Sequence, residues 1–424
     1  MTLKVILVFC ASLYLAFAKH EQYEGYAVYE VHVDNLEHVE FMNNLENQLN
    51  LDVWAHAVPG RAGQVLVPKI TRAYFENVLA SHGVQFNVAV ENIKEKLELE
   101  DQLLSKSKKA RNSGATPYLP LDTVYEYDEI NEYLEEIASK YPEVVTLLTA
   151  GQTVEGRDIK YLKISNSNFE DNNKPIVMMQ SLLHAREWVT QGVSLYAIQK
   201  LVIDVTEQDL LDNIDWIIIP IANPDGFQYT KNSERYWRKN RAANDLCMGV
   251  DLNRNFDFNW SVDSIDFVCA ATYHGSKAAS EPETAAIQNI IQENSSRIKL
   301  FIDIHSYSSY ILYGYGDGQL PPNGLILNLL GVQMGQTIDA VKWANHPNYI
   351  VGNSAALLYR TSGTASDYAQ LVGVPLSYTF ELPAYNNDDG YNGFLVDPEF
   401  IEQCGYETWE AIKLGARFAL ENYA

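Results

Sequence analysis

Between residues 26 and 90 the pattern of apolar and polar positions changes period several times. "YAVYEVHV" (26–33) alternates as a half-buried strand does, and residues 36–50 take helical spacing. "LDVWAHAV" (51–58) and "GQVLVP" (63–68) read as a strand pair turned at Pro59-Gly60. "TRAYFENVLASHG" (71–83) is a helix stopped by Gly83, and "VQFNVAV" (84–90) closes the set. The order βαββαβ predicts a small split βαβ sandwich over about residues 24–90. From residue 112 onward a different pattern takes over. "DIKYLKIS", "PIVMMQSLL", "WIIIPIAN", "KLFIDIH" and "PLSYTFEL" are near-continuous apolar runs separated by amphipathic stretches. Runs of that kind are strands buried on both faces. The prediction is an α/β fold, a mixed and mostly parallel twisted sheet with helices on both faces, preceded by a small α+β unit.

Two segments flank the small unit. Lys4 precedes "VILVFCASLYLAFA" (5–18), an apolar run ending in Ala16-Phe17-Ala18, which reads as a secretory signal peptide over residues 1–18. It is too short to span a bilayer, and with no other long apolar run the expectation is a secreted protein with no membrane segment. On the other side, "ENIKEKLELEDQLLSKSKKARNSGATP" (91–117) starts as a charged connecting helix, to about residue 108. It ends in Lys108, Lys109 and Arg111 before a small, polar stretch, where a trypsin-like protease would cut. Residues 19–111 therefore read as a pro-segment and 112–424 as the catalytic domain.

Composition narrows the partners. The formal charge is −24, of which residues 112–424 carry −21, and so acidic a surface repels phosphate backbones; nucleic acid is not expected as a partner. Cys10 leaves with the leader. Of the remaining cysteines, Cys247 and Cys269 enclose a polar loop and are paired as a disulfide, while Cys404 begins the last helical stretch as a buried thiol. Asn259-Trp260-Ser261 and Asn294-Ser295-Ser296 match the glycosylation sequon.

The apolar runs end on chemistry. "IVMMQSLL" leads to His184, "LFIDI" to His305, "LSYTF" to Glu381, and "WIIIPIAN" to the turn Pro224-Asp225-Gly226. In open α/β sheets ligands sit outside the C-terminal edge of the strands, so these side chains are predicted to converge there. Catalytic zinc takes three protein ligands and an open position. His184 and Glu187 offer two, and His305 is the natural third; alone, His184 and Glu187 would be only a charged turn. Glu381 is either a carboxylate supporting a ligand or a general base whose pKa burial raises. "ERYWRKNR" (234–241) and "VDLNRNFD" (250–257) place Arg235, Arg238, Lys239, Arg241 and Arg254 as structural ion pairs or as a clamp for a carboxylate. Asp251 is placed to orient an imidazole ligand.

The ordered set "HAREW", "YWRK", "GVDLNRNFD", "TYHG", "IHSYS", "LLYRTSGTASDY" and "FEL" resembles the zinc carboxypeptidases of the pancreatic A and B type, over nearly the whole chain. The resemblance implies that His184, Glu187 and His305 bind one Zn2+, that Glu381 is the general base and acid, and that Arg238 stabilises the oxyanion. It implies that Asn253, Arg254 and Tyr359 grip the substrate's terminal carboxylate and that Arg186, Ser306 and Tyr307 line subsites for preceding residues. Asp251 matches the carboxylate behind the first histidine, and the family's loop disulfide falls on Cys247 and Cys269. The partners implied are peptide or protein C-termini and a trypsin-like activating protease, with the enzyme a monomer. The pocket position that is Asp in basic-specific members is Ser366 here, with Leu312, Gly316, Ser354 and Thr379 nearby. An uncharged pocket leaves Lys or Arg unpaired and costly to bury, which favours A-type release of aliphatic or aromatic residues over B-type release of Lys or Arg. Two departures bear on this: Asp317 follows Gly316, and the stretch 381–394 is about four residues longer than the family pattern, at the cleft border where loop length alters specificity. Two rival readings carry less. A serine hydrolase is suggested only by "GNSAA" (352–356), which lacks the final glycine of a nucleophile elbow. A non-catalytic peptide-binding protein on this fold would be expected to have lost a ligand or the base.

Overall fold

The computed structural model describes residues 19–111, 118–387, 390–391 and 393–424. The predicted leader, residues 1–18, lies outside them, as do the side chains of Lys109 and Arg111 and residues 112–117 of the predicted cleavage stretch.

The first unit runs β1 (Ala27–His32), a helix (Leu36–Leu49), β2 (Asp52–Ala55), β3 (Gly63–Val67), a helix (Arg72–Ser81) and β4 (Gln85–Val90). Its sheet has the order β2-β3-β1-β4, antiparallel throughout. The βαββαβ pattern of the sequence is therefore the observed one. The turn at Pro59-Gly60 is closed by Val58 and Arg61, each N–H donating to the other's carbonyl. Asn35 caps the first helix by accepting from His38 N, and Asn50 ends it in the left-handed region. A single core of Tyr29, Val31, Leu45, Phe75 and Leu79 lies between this sheet and its two helices. A long helix, Ile93–Arg111, leads away from it.

The second unit is built on an eight-stranded sheet. Its strands are β5 (Val145–Gln152), β6 (Asp158–Ile164), β7 (Ile176–Gln180), β8 (Asp215–Ile219), β9 (Ile298–Ser306), β10 (Tyr310–Tyr313), β11 (Ile350–Asn353) and β12 (Leu376–Leu382), in the order β11-β10-β12-β9-β7-β8-β6-β5. The central strands β12, β9, β7 and β8 are parallel, while β5, β6 and β10 join antiparallel to their inner neighbours. Every residue of β7 and β8 is buried, because helices cover both faces there. One face packs on helices Tyr127–Lys140, Val189–Val202, Gly324–Val341 and Pro398–Tyr423, the other on Pro282–Asn294 and Ala365–Leu371. Close approach of the first-face helices needs Gly192, where a Cβ would lie 2.6 Å from Ile401. Strands β5, β10 and β11 were not evident as apolar runs: β5 is half-exposed, and the other two have four residues each.

The two units meet over an apolar patch. Tyr23, Trp54 and Leu97 of the first pack with Tyr236, Tyr307 and Phe394 of the second. Trp54 lies against Tyr236 and Phe394 with ring centroids 4.8 and 5.3 Å apart. Among the described residues no helix is long and apolar enough to cross a membrane.

Candidate active site

The C-terminal ends of β7, β9 and β12 open on a cavity of about 560 Å³ between the two units. His184 and Glu187 lie in the loop from β7 to helix Val189–Val202, and His305 is the penultimate residue of β9. One ligand atom from each lies within 4.8 Å of the others. His184 Nδ1 is 2.8 Å from Glu187 Oε1, His305 Nδ1 is 2.9 Å from Glu187 Oε2, and the two Nδ1 atoms are 2.9 Å apart.

The outer partners show what this arrangement requires. His184 Nε2 meets Asp251 Oδ1 at 3.0 Å and His305 Nε2 meets Asp303 Oδ2 at 2.7 Å. A carboxylate accepts, so each Nε2 carries the proton and each Nδ1 presents a lone pair inward. Two lone pairs and a carboxylate aimed at one point repel each other unless a cation lies among them. Two nitrogens and an oxygen, all buried, are a donor set that zinc accepts. The titration of His305 reports the same negative potential. Burial pushes His305 down, but Asp303 and Glu187 overcome it and hold its pKa well above the ordinary value. Burial pushes the Glu187 carboxyl up, and His184 and His305 override it, holding it well below the usual range.

Asp251 is the most connected group here. Besides His184, its second oxygen accepts from Arg238 Nε and Nη2, both at 3.0 Å, and Asn253 N donates to its first. Burial would raise its pKa, yet Arg238 and His184 keep it well below the carboxylate range. Glu381 on β12 is in register with His305 on β9, so strand pairing delivers it to the same edge. Burial, and then the neighbouring Glu187, push its carboxyl up. Deeper in the cavity, Arg254 Nη2 donates to Tyr359 Oη at 2.8 Å, and the Asn253 amide lies 3.1 Å from His305 Nε2. Arg254 keeps this position because Gly363, at φ 67°, lets the chain pass where a Cβ would lie 2.2 Å from the Arg254 carbonyl oxygen.

Leu312, Ser354, Ser366 and Thr379 line the same cavity, and Gly316 sits behind it against Thr361. Asp317 does not join them: its carboxylate accepts from Gln319 N at 2.8 Å and Asn259 Nδ2 at 3.1 Å. Arg186 also lines the cavity, but Asp52 of the first unit takes it, Nη1 donating to both carboxylate oxygens at 2.7 and 2.9 Å. Tyr307 Oη donates to Gln64 at 2.6 Å, and His56 lies on Tyr359 at 4.3 Å between ring centroids. Ser306 N donates to Glu187 at 3.2 Å.

The basic cluster 234–241 divides. Arg238 reaches the site; Arg235 is fully buried and donates from Nε and Nη2 to Glu100 of helix Ile93–Arg111, at 2.7 and 3.0 Å. Lys239 donates to the Val268 and Ala270 carbonyls, and Arg241 lies over Tyr229. Cys247 and Cys269 form the disulfide, and Cys404 is a buried thiol. Sequence reasoning missed Asp303 and Gln180, whose Nε2 donates to Asp303 at 2.7 Å. The signal was present in "DIH": two polar residues, two apart, fall on one face of an otherwise apolar strand.

Two family models match the chain, "zinc carboxypeptidase" over residues 130–411 and "carboxypeptidase activation peptide" over residues 29–100. The chain is 42% identical to a carboxypeptidase B of Helicoverpa zea, with 98% of each chain covered. It is 32% identical to human carboxypeptidase A1, with 96% of each covered. Among solved structures, that of carboxypeptidase A from Helicoverpa armigera superposes with a TM-score of 0.92 at 56% identity, covering 95% of this chain and all of that one.

Proposed function

The chain belongs to the zinc carboxypeptidase family and carries an activation peptide before its catalytic domain, and from this we propose which residues act and on what. His184, Glu187 and His305 hold the zinc ion. The observation behind this assignment is the pair of Nδ1 atoms 2.9 Å apart beside a shared carboxylate. Bound zinc supplies Lewis acidity and makes a bound water more acidic.

The chain's own residues do the rest. Arg254, Asn253 and Tyr359 bind the free carboxylate of the substrate, the guanidinium giving charge-assisted hydrogen bonds. A peptide held by its terminal carboxylate has only its last bond at the site, so one residue leaves at a time. Glu381, whose burial favours a proton, takes it from the attacking water and returns it to the leaving amine. Arg238, fixed by Asp251, faces the oxyanion of the tetrahedral intermediate. Asp251 and Asp303 hold the two imidazoles in the tautomer that leaves Nδ1 free. Arg186, Ser306 and Tyr307 receive preceding residues once the activation unit is gone.

The departing side chain enters the pocket of Leu312, Ser354, Ser366 and Thr379. Among the described residues that wall carries no charged partner for Lys or Arg, and the Asp317 carboxylate accepts from Gln319 N and Asn259 Nδ2 instead. Relatives named A and B are both similar to this chain, so the assignment of uncharged C-terminal residues rests on the pocket. Residues 1–18 act as the secretory leader and 19–111 as the pro-segment, cut near Lys108–Arg111 by a trypsin-like protease to leave a monomeric, secreted enzyme of residues 112–424. The test is hydrolysis of peptides ending in Phe, Leu, Lys or Arg by the cleaved, zinc-loaded protein. Phe and Leu should lead, a chelator should abolish turnover, and added zinc should restore it. Preference for Lys or Arg would overturn the substrate assignment, and turnover indifferent to chelation would overturn the ligand assignment.

A further inference from the structure

The pocket for the departing side chain is uncharged, but it is not purely apolar. Three hydroxyl side chains from two elements meet on its wall. Thr364 is the N-cap of helix Ala365–Leu371, Ser366 lies in that helix's first turn, and Thr379 is on β12. All three line the cavity and each is 8% exposed, so the little surface each retains faces inward. Their hydrogen bonds are directional. Thr379 Oγ1 donates to Ser366 Oγ at 2.9 Å, and Thr364 Oγ1 accepts from Asp367 N at 3.3 Å. Ser377 Oγ donates to the Ser366 carbonyl at 2.7 Å, which fixes the turn that carries Ser366. The Thr379 proton is thus committed to Ser366 and the Thr364 hydroxyl to the Asp367 carboxyl behind it, while the hydroxyl proton of Ser366 has no protein acceptor among the described residues. Among the described residues, the wall therefore presents one O–H donor and no charge.

Resting on the uncharged-pocket reading above, we infer that this wall selects, among uncharged C-terminal residues, side chains that end in an oxygen acceptor. Glutamine and tyrosine are preferred to hydrocarbon-like residues of similar size such as methionine and phenylalanine. Before substrate arrives, water satisfies the Ser366 donor. A hydrocarbon tip displaces that water and leaves the donor unpaired, whereas an amide or phenol oxygen replaces its hydrogen bond.

The test compares kcat/KM of the cleaved enzyme within two matched pairs of peptides, ending in Tyr or Phe and in Gln or Met, with Lys and Arg peptides alongside. The oxygen-bearing member of each pair should lead by about five- to tenfold, the worth of one hydrogen bond. Both ratios should fall to about one in Ser366→Ala/Thr379→Val, or in Ser366→Ala alone if the double variant does not fold. A ratio at or below one in either pair, with Lys and Arg still poor, would overturn this inference and leave the uncharged-pocket reading standing. Ratios unchanged by the substitutions would also overturn it. Preference for Lys or Arg would instead sink the reading on which it rests.

Discussion

The two ends of the cavity are built on opposite principles. At the metal end most side chains are ionisable, and each charge is met by a charged or hydrogen-bonding partner: Asp251 by Arg238 and His184, Asp303 by His305 and the Gln180 amide, Glu187 by both imidazoles. At the pocket end the wall is Leu312, Ser354, Ser366 and Thr379, and a carboxyl behind it, Asp367, ionises only at unusually high pH. Burial pushes Asp367 up to about 7, against hydrogen bonds from Gly316 N and Thr364. The difference teaches where rigidity and where selectivity come from. Charges buried together fix one geometry, because any displaced member leaves an unpaired ion. A neutral wall imposes little geometry and sorts side chains by what it fails to compensate. The activation unit also enters this cavity: it places the carboxylate of Asp52 on Arg186 and a ring, His56, on Tyr359.

This contrast can be broken from either end. The largest effect is expected from Glu381→Gln, which keeps the shape and removes the proton carrier; kcat on a peptide ending in Leu should fall by about 10²–10⁴ with KM little changed. A loss under tenfold in steady-state assays would remove Glu381 from that role. Next, Asp303→Asn should weaken zinc binding by about 10–100-fold in chelator competition, because the imidazole loses its orienting carboxylate. Ser366→Ala, at the other end, should leave zinc affinity unchanged, and a comparable loss there would erase the distinction between the ends. Third, Asp52→Asn leaves the buried Arg186 without its ion pair and should raise the activity of uncleaved protein about tenfold, from the worth of one charged hydrogen bond. Uncleaved protein that stays silent would place latency in the apolar contacts instead.

The smallest effect concerns pH. Asp367 stays protonated in the fold between the ordinary Asp value and about 7, where the unfolded chain has already ionised. The folded state then binds more protons, so this group's contribution to stability falls as pH rises to about 7 and stays low above it. Asp367→Asn should raise the melting temperature at pH 8 by about 1–3 °C and change it little at pH 4. Equal shifts at both pH values would assign the effect to packing.

Much of the catalytic end was legible along the chain because β strands announce themselves there. A buried parallel strand is a near-continuous apolar run, and an ionisable residue at or just past its end stands out, as at His184, His305 and Glu381. Asp303 escaped notice because it lies inside the run, where a strand reading expects only apolar residues. Strands β5, β10 and β11, at or next to the sheet edges, carry no long apolar run for the converse reason: they are half-exposed or four residues long. Lys239 and Arg241 looked like companions of Arg238, since adjacency cannot tell which of several cations turns inward.

By itself, the sequence determined the kind of elements and the residues that end them, because periodicity and side-chain chemistry are local properties. It determined the βαββαβ order of the first unit and the acidic charge of the second. Only the tertiary structure decided which ends meet. Pairing β12 with β9 in parallel register brings Glu381 beside His305, and β7 on the other side of β9 delivers His184 and Glu187. It also decided that Asp317 turns to Asn259 while Ser366 faces the cavity, and that Asp52 and Glu100 take Arg186 and Arg235. Those outcomes depend on which partners remain within reach once helices have covered both faces of the sheet. No stretch of chain encodes that distance alone.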